Sequence, residues 1–360
     1  MLHELDFFFV FFHTLWKYLQ SRLTHFRKRH ATRRQEDDYE PILEDKKLYS
    51  SVETLALAKR MPKGAWDSHM HVTLPEYPLV TNAAYTPHNH SLRQALQFES
   101  TIGISNIVLV QPSIYGNDNS CVLEALRVIG PRRGRAVVCF DPDTIEPETL
   151  RAWHKLGVRG VRVNLKSVNE KITAGQLEDR LRHYAAVIRP LKWVLELYMS
   201  MEAIPMLERI AGELGVRICI AHCGAPNLPP LEKRAYSSDP YELPGFRSLV
   251  NLLQNEDVWV KLSAAYRFDQ DPELGGIEPV VRELLKKAPR KAVFASDWPH
   301  TRFEGLNIKP FVERCLQWTE QAGVTSQVFC RNAEELWNVQ RWHEVIGVFG
   351  THARSDYVNE

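Results

Sequence analysis

Two histidines, His69 and His71, stand two positions apart in the run DSHMHV, and Asp67 precedes them by two more. On an extended strand, residues at i and i+2 share a face. Two imidazoles on one face can aim at one carbonyl oxygen or at one metal ion. Far down the chain, the run ASDWPH carries Asp297 with His300 just beyond it. A carboxylate beside imidazoles or a cation can take the proton of a water molecule as that water attacks an acyl carbon. Asp297 lies 226 to 228 positions from the two histidines, so only a fold that closes on itself could bring the three together.

The pattern between them supplies such a fold. From Trp66 onward, short apolar and β-branched runs alternate with amphipathic helical stretches as far as Trp337. Eight runs qualify as strands: 65–72, 106–113, 135–142, 157–165, 193–200, 217–223, 258–265 and 292–298. Between them lie helical patterns such as SLRQALQFESTIG, with Leu92, Ala95, Leu96 and Glu99 at helical spacing, and glycines 103, 157 and 215 stand directly before the next strand. Eight βα units match the strand count and usual size of a (β/α)8 TIM-type barrel, an α/β fold. The expected organisation is a single barrel domain over residues 63–340, with an N-terminal tail and linker over 1–62 and a C-terminal tail over 341–360.

In such barrels the chemistry sits at the carboxyl ends of the strands. There the sequence offers Gln111 and Ser113, Arg162 and Asn164, Glu196 and Tyr198, His222, then Lys261 and Ser263 followed by Tyr266 and Arg267, and finally Asp297 and His300. Polar groups facing a barrel interior are costly to bury without partners, so their concentration at these positions points to a site. Because the last strand closes beside the first, Asp297, His69 and His71 become spatial neighbours.

Composition limits the partners. Of 360 residues, 45 are Lys or Arg and 44 Asp or Glu, and the net charge of +1 gives no field for a nucleic acid, which leaves a small molecule as the substrate. Residues 1–35 are the exception, with net charge +5 and the apolar burst FFFVFFHTLW at 7–16, too short to span a bilayer. A cytoplasmic enzyme, with membrane contact confined to residues 1–35, is the expectation. The six cysteines are read as reduced and structural, and strand alternation would turn both Cys219 and Cys223 away from His222.

DSHMH, ASDWPH and the closing RNAEELW resemble the amidohydrolase superfamily, in its amidohydrolase-related branch. QPSIYGNDNS (111–120), RGVRVNL (159–165), IAHCGAP (220–226) and KLSAAYRF (261–268) are similar to the 2-pyrone-4,6-dicarboxylate lactonases and their sugar-lactonase relatives. The resemblance implies hydrolysis of a lactone or related ester-type bond, with Asp297 as base and His69, His71 and His222 polarising the carbonyl. It implies that Arg162 and Arg267 hold substrate carboxylate, and that Tyr198, Ser113, Asn119 and His300 stand at substrate-binding positions. Such a site works with no required cofactor, or with one Zn²⁺ held by His69, His71 and Asp297; both stay open. Two further readings accompany the lactonase: a metal-dependent decarboxylase of an aromatic or muconate-like acid, and an inactive barrel serving as a binding or membrane-tethered partner protein.

Overall fold

The computed structural model describes residues 57–168, 170–233 and 239–339; all of the expected C-terminal tail (341–360) and all but residues 57–62 of the expected N-terminal tail (1–62) lie outside them. Eight parallel strands form one sheet in sequence order: β1 (Trp66–Met70), β2 (Asn106–Val110), β3 (Gly134–Val138), β4 (Val158–Asn164), β5 (Val194–Tyr198), β6 (Ile218–Ile220), β7 (Val258–Leu262) and β8 (Ala292–Phe294). All eight expected strands are present. The seam between β8 and β1 is drawn together by two hydrogen bonds: the Asp297 amide donates to the His69 carbonyl (2.9 Å), and the His71 amide to the Trp298 carbonyl (2.8 Å). The expected (β/α)8 barrel is therefore the observed fold.

The helices that return the chain from strand to strand start and stop where local chemistry dictates. The first, α1 (Leu92–Ile102), opens on a capping box in which the Ser91 hydroxyl accepts from the Gln94 amide and the Gln94 side chain accepts from the Ser91 amide. It ends at Gly103, whose φ of 79° is left-handed and whose missing Cβ would lie 2.6 Å from the Ala58 carbonyl. Helices α2 (Ser120–Ile129), α3 (Pro147–Leu156), α4 (Ala174–Ile188), α5 (Ile204–Glu208), α6 (Phe246–Asn255), α7 (Glu278–Lys287), α8 (Lys309–Gln321) and α9 (Asn332–Leu336) follow in chain order.

Two apolar layers result. The larger lies between strands and helices. The smaller fills the barrel interior with Trp66, Val108, Val137, Val194, Trp259 and Trp337. Trp337 forms the floor: it is fully buried, its indole N–H donates to the Ser68 hydroxyl (3.2 Å), and its carbonyl accepts from Arg135 (3.2 Å). The barrel's packing also begins a few residues ahead of the boundary expected at 62, because Leu57 and Met61 are buried in the larger core and Arg60 pairs with Glu313 and Glu320 of α8. A chain beginning at residue 62 should thus be less stable than one beginning at residue 52, by at least about 2 kcal/mol for the two lost core side chains. Urea unfolding of the two truncations measures the difference, and equal midpoints would assign Leu57 and Met61 no share in the core.

Two details of face and alternation differ from the sequence-based expectation. Asp67 does not share a face with His69 and His71, because the β1–β2 register shifts between Asp67 and Met70. A bulge inserts one residue and inverts the alternation. Asp67 thus turns outward, where it accepts from the Ser296 hydroxyl and amide (3.0 Å for the amide) and from the His69 amide (2.9 Å). Cys219 and Cys223 do not lie together either: Cys219 packs in the barrel interior and Cys223 in the outer core. Strand β6 ends at Ile220, and His222 and Cys223 both adopt left-handed backbone (φ 56° and 55°), so strict alternation stops before them.

Candidate active site

The strand-end side chains of the site emerge at the carboxyl end of the barrel. His69 ends the inward row of β1 after the bulge, and His71 follows it. Arg162 comes from β4, Glu196 and Tyr198 from β5, and Lys261 from β7; His222 and Asp297 stand just past β6 and β8.

Asp297 is the centre of the arrangement. Its Oδ2 accepts from the Tyr266 hydroxyl (2.6 Å) and from Arg267 Nε (2.9 Å). Its Oδ1 faces three imidazoles instead: His69 Nε2 at 3.7 Å, His71 Nε2 at 3.7 Å and His222 Nε2 at 3.9 Å. Asp297 itself sits at φ 61°, a left-handed conformation that costs a non-glycine residue strain and is typical of functional positions. Burial alone would raise its pKa. The neighbouring Arg267 guanidinium, with His222, His71 and the Tyr266 hydroxyl, outweighs that and holds the carboxyl well below its usual range, so it is ionised. The Tyr266 hydroxyl is pushed the other way by burial and by Asp297, and stays protonated as a donor.

The imidazoles are neutral. Burial, aided by Arg162, lowers His71 to about 4; burial, with Arg267 and Arg162 opposing the pull of Asp297, lowers His222 to about 3. His69 is lowered well below its usual value by burial and by Lys261. Their partners fix the tautomers. His71 Nδ1 meets the Val110 carbonyl at 2.7 Å, and a carbonyl can only accept, so the proton is on Nδ1 and the lone pair on Nε2. His69 Nε2 lies 3.3 Å from that lone pair and Lys261 Nζ lies 3.1 Å from His69 Nδ1. One chain of donors satisfies all of these: Lys261 to His69, His69 to His71, His71 to Val110. The Ser263 hydroxyl is 2.8 Å from His222 Nδ1.

A metal ion fits the same groups. Among the described residues, His69, His222 and Asp297 form the cluster whose ligand atoms lie within 4.8 Å of one another. His222 thus takes the place expected of His71, whose Nε2 nevertheless faces the same Asp297 oxygen. Two neutral imidazoles and one carboxylate, with a water in the fourth position, are a normal catalytic zinc donor set. The buried Glu196 Oε1 has no hydrogen bond and stands 3.3 Å from His69 Nδ1, where it would accept the proton that a metal-ligating His69 carries on that nitrogen.

Beneath His69 lies a pair that the sequence offered only as strand-end polar groups, without a role. Lys261 and Glu196, both fully buried, form an ion pair, and the Lys261 ammonium also stands 5.1 Å over the Trp337 ring. A lysine between valines and leucine in VWVKLS was the available signal, since a charge in such a strand must be buried and paired.

A cavity of about 20 Å³ opens above Asp297, lined by His71, His222, Ser113, Arg162, Tyr198 and Arg267 from the expected set. Tyr85 and Arg302, from the β1–α1 and β8–α8 loops, line it too, and nothing in the sequence pattern marked them. Asn119 and His300 do not line it. Asn119 instead ties the chain at Cys139, donating to its carbonyl (2.6 Å) and accepting from its amide (2.9 Å), and His300 is buried between Phe98 and Tyr266. Arg267 lines the cavity while its Nε is engaged by Asp297, and Arg162 donates to the Gln111 carbonyl (2.9 Å).

An eight-stranded barrel with imidazoles and an aspartate at its carboxyl end defines the class, and the comparison with known sequences agrees: residues 66–339 match the amidohydrolase family, and the chain belongs to it. It is a hydrolase. It is 30% identical over 256 residues to the 4-sulfomuconolactone hydrolase of Hydrogenophaga intermedia, covering 69% of this chain and 79% of that one. It is 26% identical over 253 residues to the 2-pyrone-4,6-dicarboxylate hydrolase of Comamonas testosteroni, covering 67% and 78%. Among solved structures, an amidohydrolase from Burkholderia multivorans with bound zinc superposes with a TM-score of 0.64 over 77% of this chain and 99% of that one, at 17% identity, a likeness of fold. These lactone hydrolases support lactone hydrolysis as the general activity. No helix of the described residues is long and apolar enough to cross a membrane.

Proposed function

We propose that this chain opens the ring of a small, carboxylated lactone by general-base hydrolysis. The observation that carries the reading is the convergence of three neutral imidazoles on Oδ1 of an ionised Asp297 whose other oxygen is tied to Tyr266 and Arg267. A carboxylate so held has one free oxygen, and it points to where the reacting atoms would sit.

In the proposed reaction Asp297 takes a proton from water as the water oxygen bonds to the lactone carbonyl carbon. His222, with the Ser263 hydroxyl donating to its Nδ1, presents Nε2–H to the carbonyl oxygen, and His69, held by its bond to His71, stands beside it. The tetrahedral centre then collapses, the ring C–O bond breaks, and the departing alkoxide recovers the proton from Asp297, giving a hydroxy acid. A divalent cation on His69, His222 and Asp297 would supply Lewis-acid polarisation of the same carbonyl. Arg162, with Tyr198 and Ser113 beside it, is proposed to hold the substrate carboxylate. Arg267, through its bond to Asp297, is proposed to serve the base first and the substrate with its remaining N–H groups.

A panel of lactones offered to the purified chain, read as acid release across pH, tests this. Hydrolysis should stay level from about pH 8 to pH 5 and fall only as His71 and His222 begin to protonate, near 4 and below, with no inflection at the ordinary imidazole value of 6.5. The sign follows from the depressed values: the unfolded chain takes up these protons first, so stability too is lost as pH falls from 6.5 through about 4. No lactone opened, with CO₂ released from an aromatic or muconate-like acid in the presence of stoichiometric metal, would favour the decarboxylase instead.

A further inference from the structure

The core-facing side of α1 carries one residue that an apolar layer would not choose. Glu99 lies among Ala95, Phe98 and Ile102, is 1% exposed, and both its carboxyl oxygens are buried without an N–H or O–H donor among the described residues. Opposite it stands Asp67, itself fully buried, which the bulge of β1 turns into the same layer, and the two carboxyl groups lie within hydrogen-bonding range of each other. No cation among the described residues pairs with either. Arg60 is committed to Glu313 and Glu320, Lys59 is exposed, and β2 offers no charged side chain. His300 and His90, whose rings rest against Phe98 and Trp298, are both shifted toward the neutral form by burial.

Two carboxyl groups that touch in a dry layer cannot both be ionised. The donors around them decide which one carries the charge. Asp67 accepts from the Ser296 hydroxyl, the Ser296 amide (3.0 Å) and the His69 amide (2.9 Å), whereas Glu99 is offered none. A charge on Asp67 is held by three hydrogen bonds and a charge on Glu99 by nothing, so the proton belongs to Glu99. It turns that side chain from an acceptor without donors into a donor aimed at Asp67. Burial, and then the facing Asp67, push the Glu99 carboxyl well above its usual range, in the same direction.

We propose that Glu99 is a neutral carboxylic acid in the folded chain, its proton shared with Asp67, and that it acts as a positioning residue, fixing from α1 the carboxylate that fastens β1 to the end of β8. What it positions is close to the chemistry. Asp67 binds the His69 amide, the His69 carbonyl accepts the Asp297 amide, and Ser296 directly precedes Asp297. The proton leaves a single negative charge behind this seam, where two would repel and drive α1 from β1. The role in catalysis rests on the lactone-hydrolase reading; the proton does not.

Infrared spectroscopy of the full chain, with glutamate isotopically labelled at its side-chain carboxyl, reads the proton directly at neutral pH. The labelled carbonyl stretch of a protonated acid should be present in the wild type and absent in Glu99→Gln. Urea unfolding gives a second reading. The folded chain keeps this proton where the unfolded chain, its glutamate titrating at about 4.3, has lost it, so the wild type loses stability as pH rises. Its folding constant should fall relative to that of Glu99→Gln by about 10-fold per pH unit from about pH 5 to pH 7. Glu99→Leu, which fills the space and cannot donate, should lower kcat on any lactone opened by about 10-fold with KM little changed, and Glu99→Gln, whose amide still donates to Asp67, should restore most of it. No protonated-glutamate band in the wild type, or parallel stability curves for the wild type and Glu99→Gln, would overturn the shared proton. Equal kcat in Glu99→Leu and the wild type would overturn the positioning role. The first two readings need no substrate, so a chain that shows the band yet opens no lactone overturns the hydrolase reading and leaves the pair standing.

Discussion

Asp297→Asn is expected to lower kcat by at least about 10²-fold while the chain folds and melts as before. The amide has nearly the volume of the carboxyl and can still accept from Tyr266 and Arg267 through its oxygen, so the closure of β8 on β1 survives. What then faces the three imidazoles is an NH₂ group with no basic lone pair. Water in the site would have no acceptor strong enough to take its proton as it attacks. Steady-state kinetics on any lactone the wild type opens, with a thermal melt as the control for folding, reads the result. Turnover within a few-fold of wild type would remove Asp297 from the mechanism.

The second large effect is on stability. Lys261→Met should destabilise the chain by about 3–5 kcal/mol, because it leaves the fully buried Glu196 carboxylate without its ammonium partner. Arg162, 3.9 Å away, compensates only in part. Methionine fills most of the space, so the loss is that of charge pairing rather than of packing. The double variant Lys261→Met/Glu196→Gln removes both charges and should recover much of the loss. Urea unfolding of the two variants measures this, and a cost below about 1 kcal/mol for Lys261→Met would mean that Glu196 finds another partner.

The fold was legible because a barrel repeats one rule eight times: a β-branched run, a turn, an amphipathic helix. The site was legible wherever that rule carries through to a strand's end, as it does for Arg162 and Tyr198. It failed where the backbone leaves the rule. A register shift within β1 cannot be seen in DSHMH, so Asp67 was placed beside the histidines when it faces Ser296. Left-handed residues after β6 broke the alternation that would have sorted Cys219 from Cys223. Side chains from long loops, Tyr85 and Arg302, carry no periodic signal at all, and Asn119 and His300 look like site residues in one dimension because they flank it in sequence. Tyr266 was in view as a strand-end group, but its bond to Asp297 depends on how a short turn, Ala265–Arg267, folds back over the barrel mouth.

The indole of Trp337 that seals the barrel from below comes from the last few residues of the described chain, and its carbonyl is gripped by Arg135, from the third strand, some two hundred positions earlier. During synthesis the strands leave the ribosome in order, but the interior they enclose has no base until this tryptophan arrives. Lys261, whose ammonium rests over that indole, would meanwhile face an unsealed and wet interior. The imidazole cluster above it can reach its dry, neutral state only after translation has passed Trp337, so the most C-terminal element of the barrel sets the moment at which its opposite end becomes chemically competent.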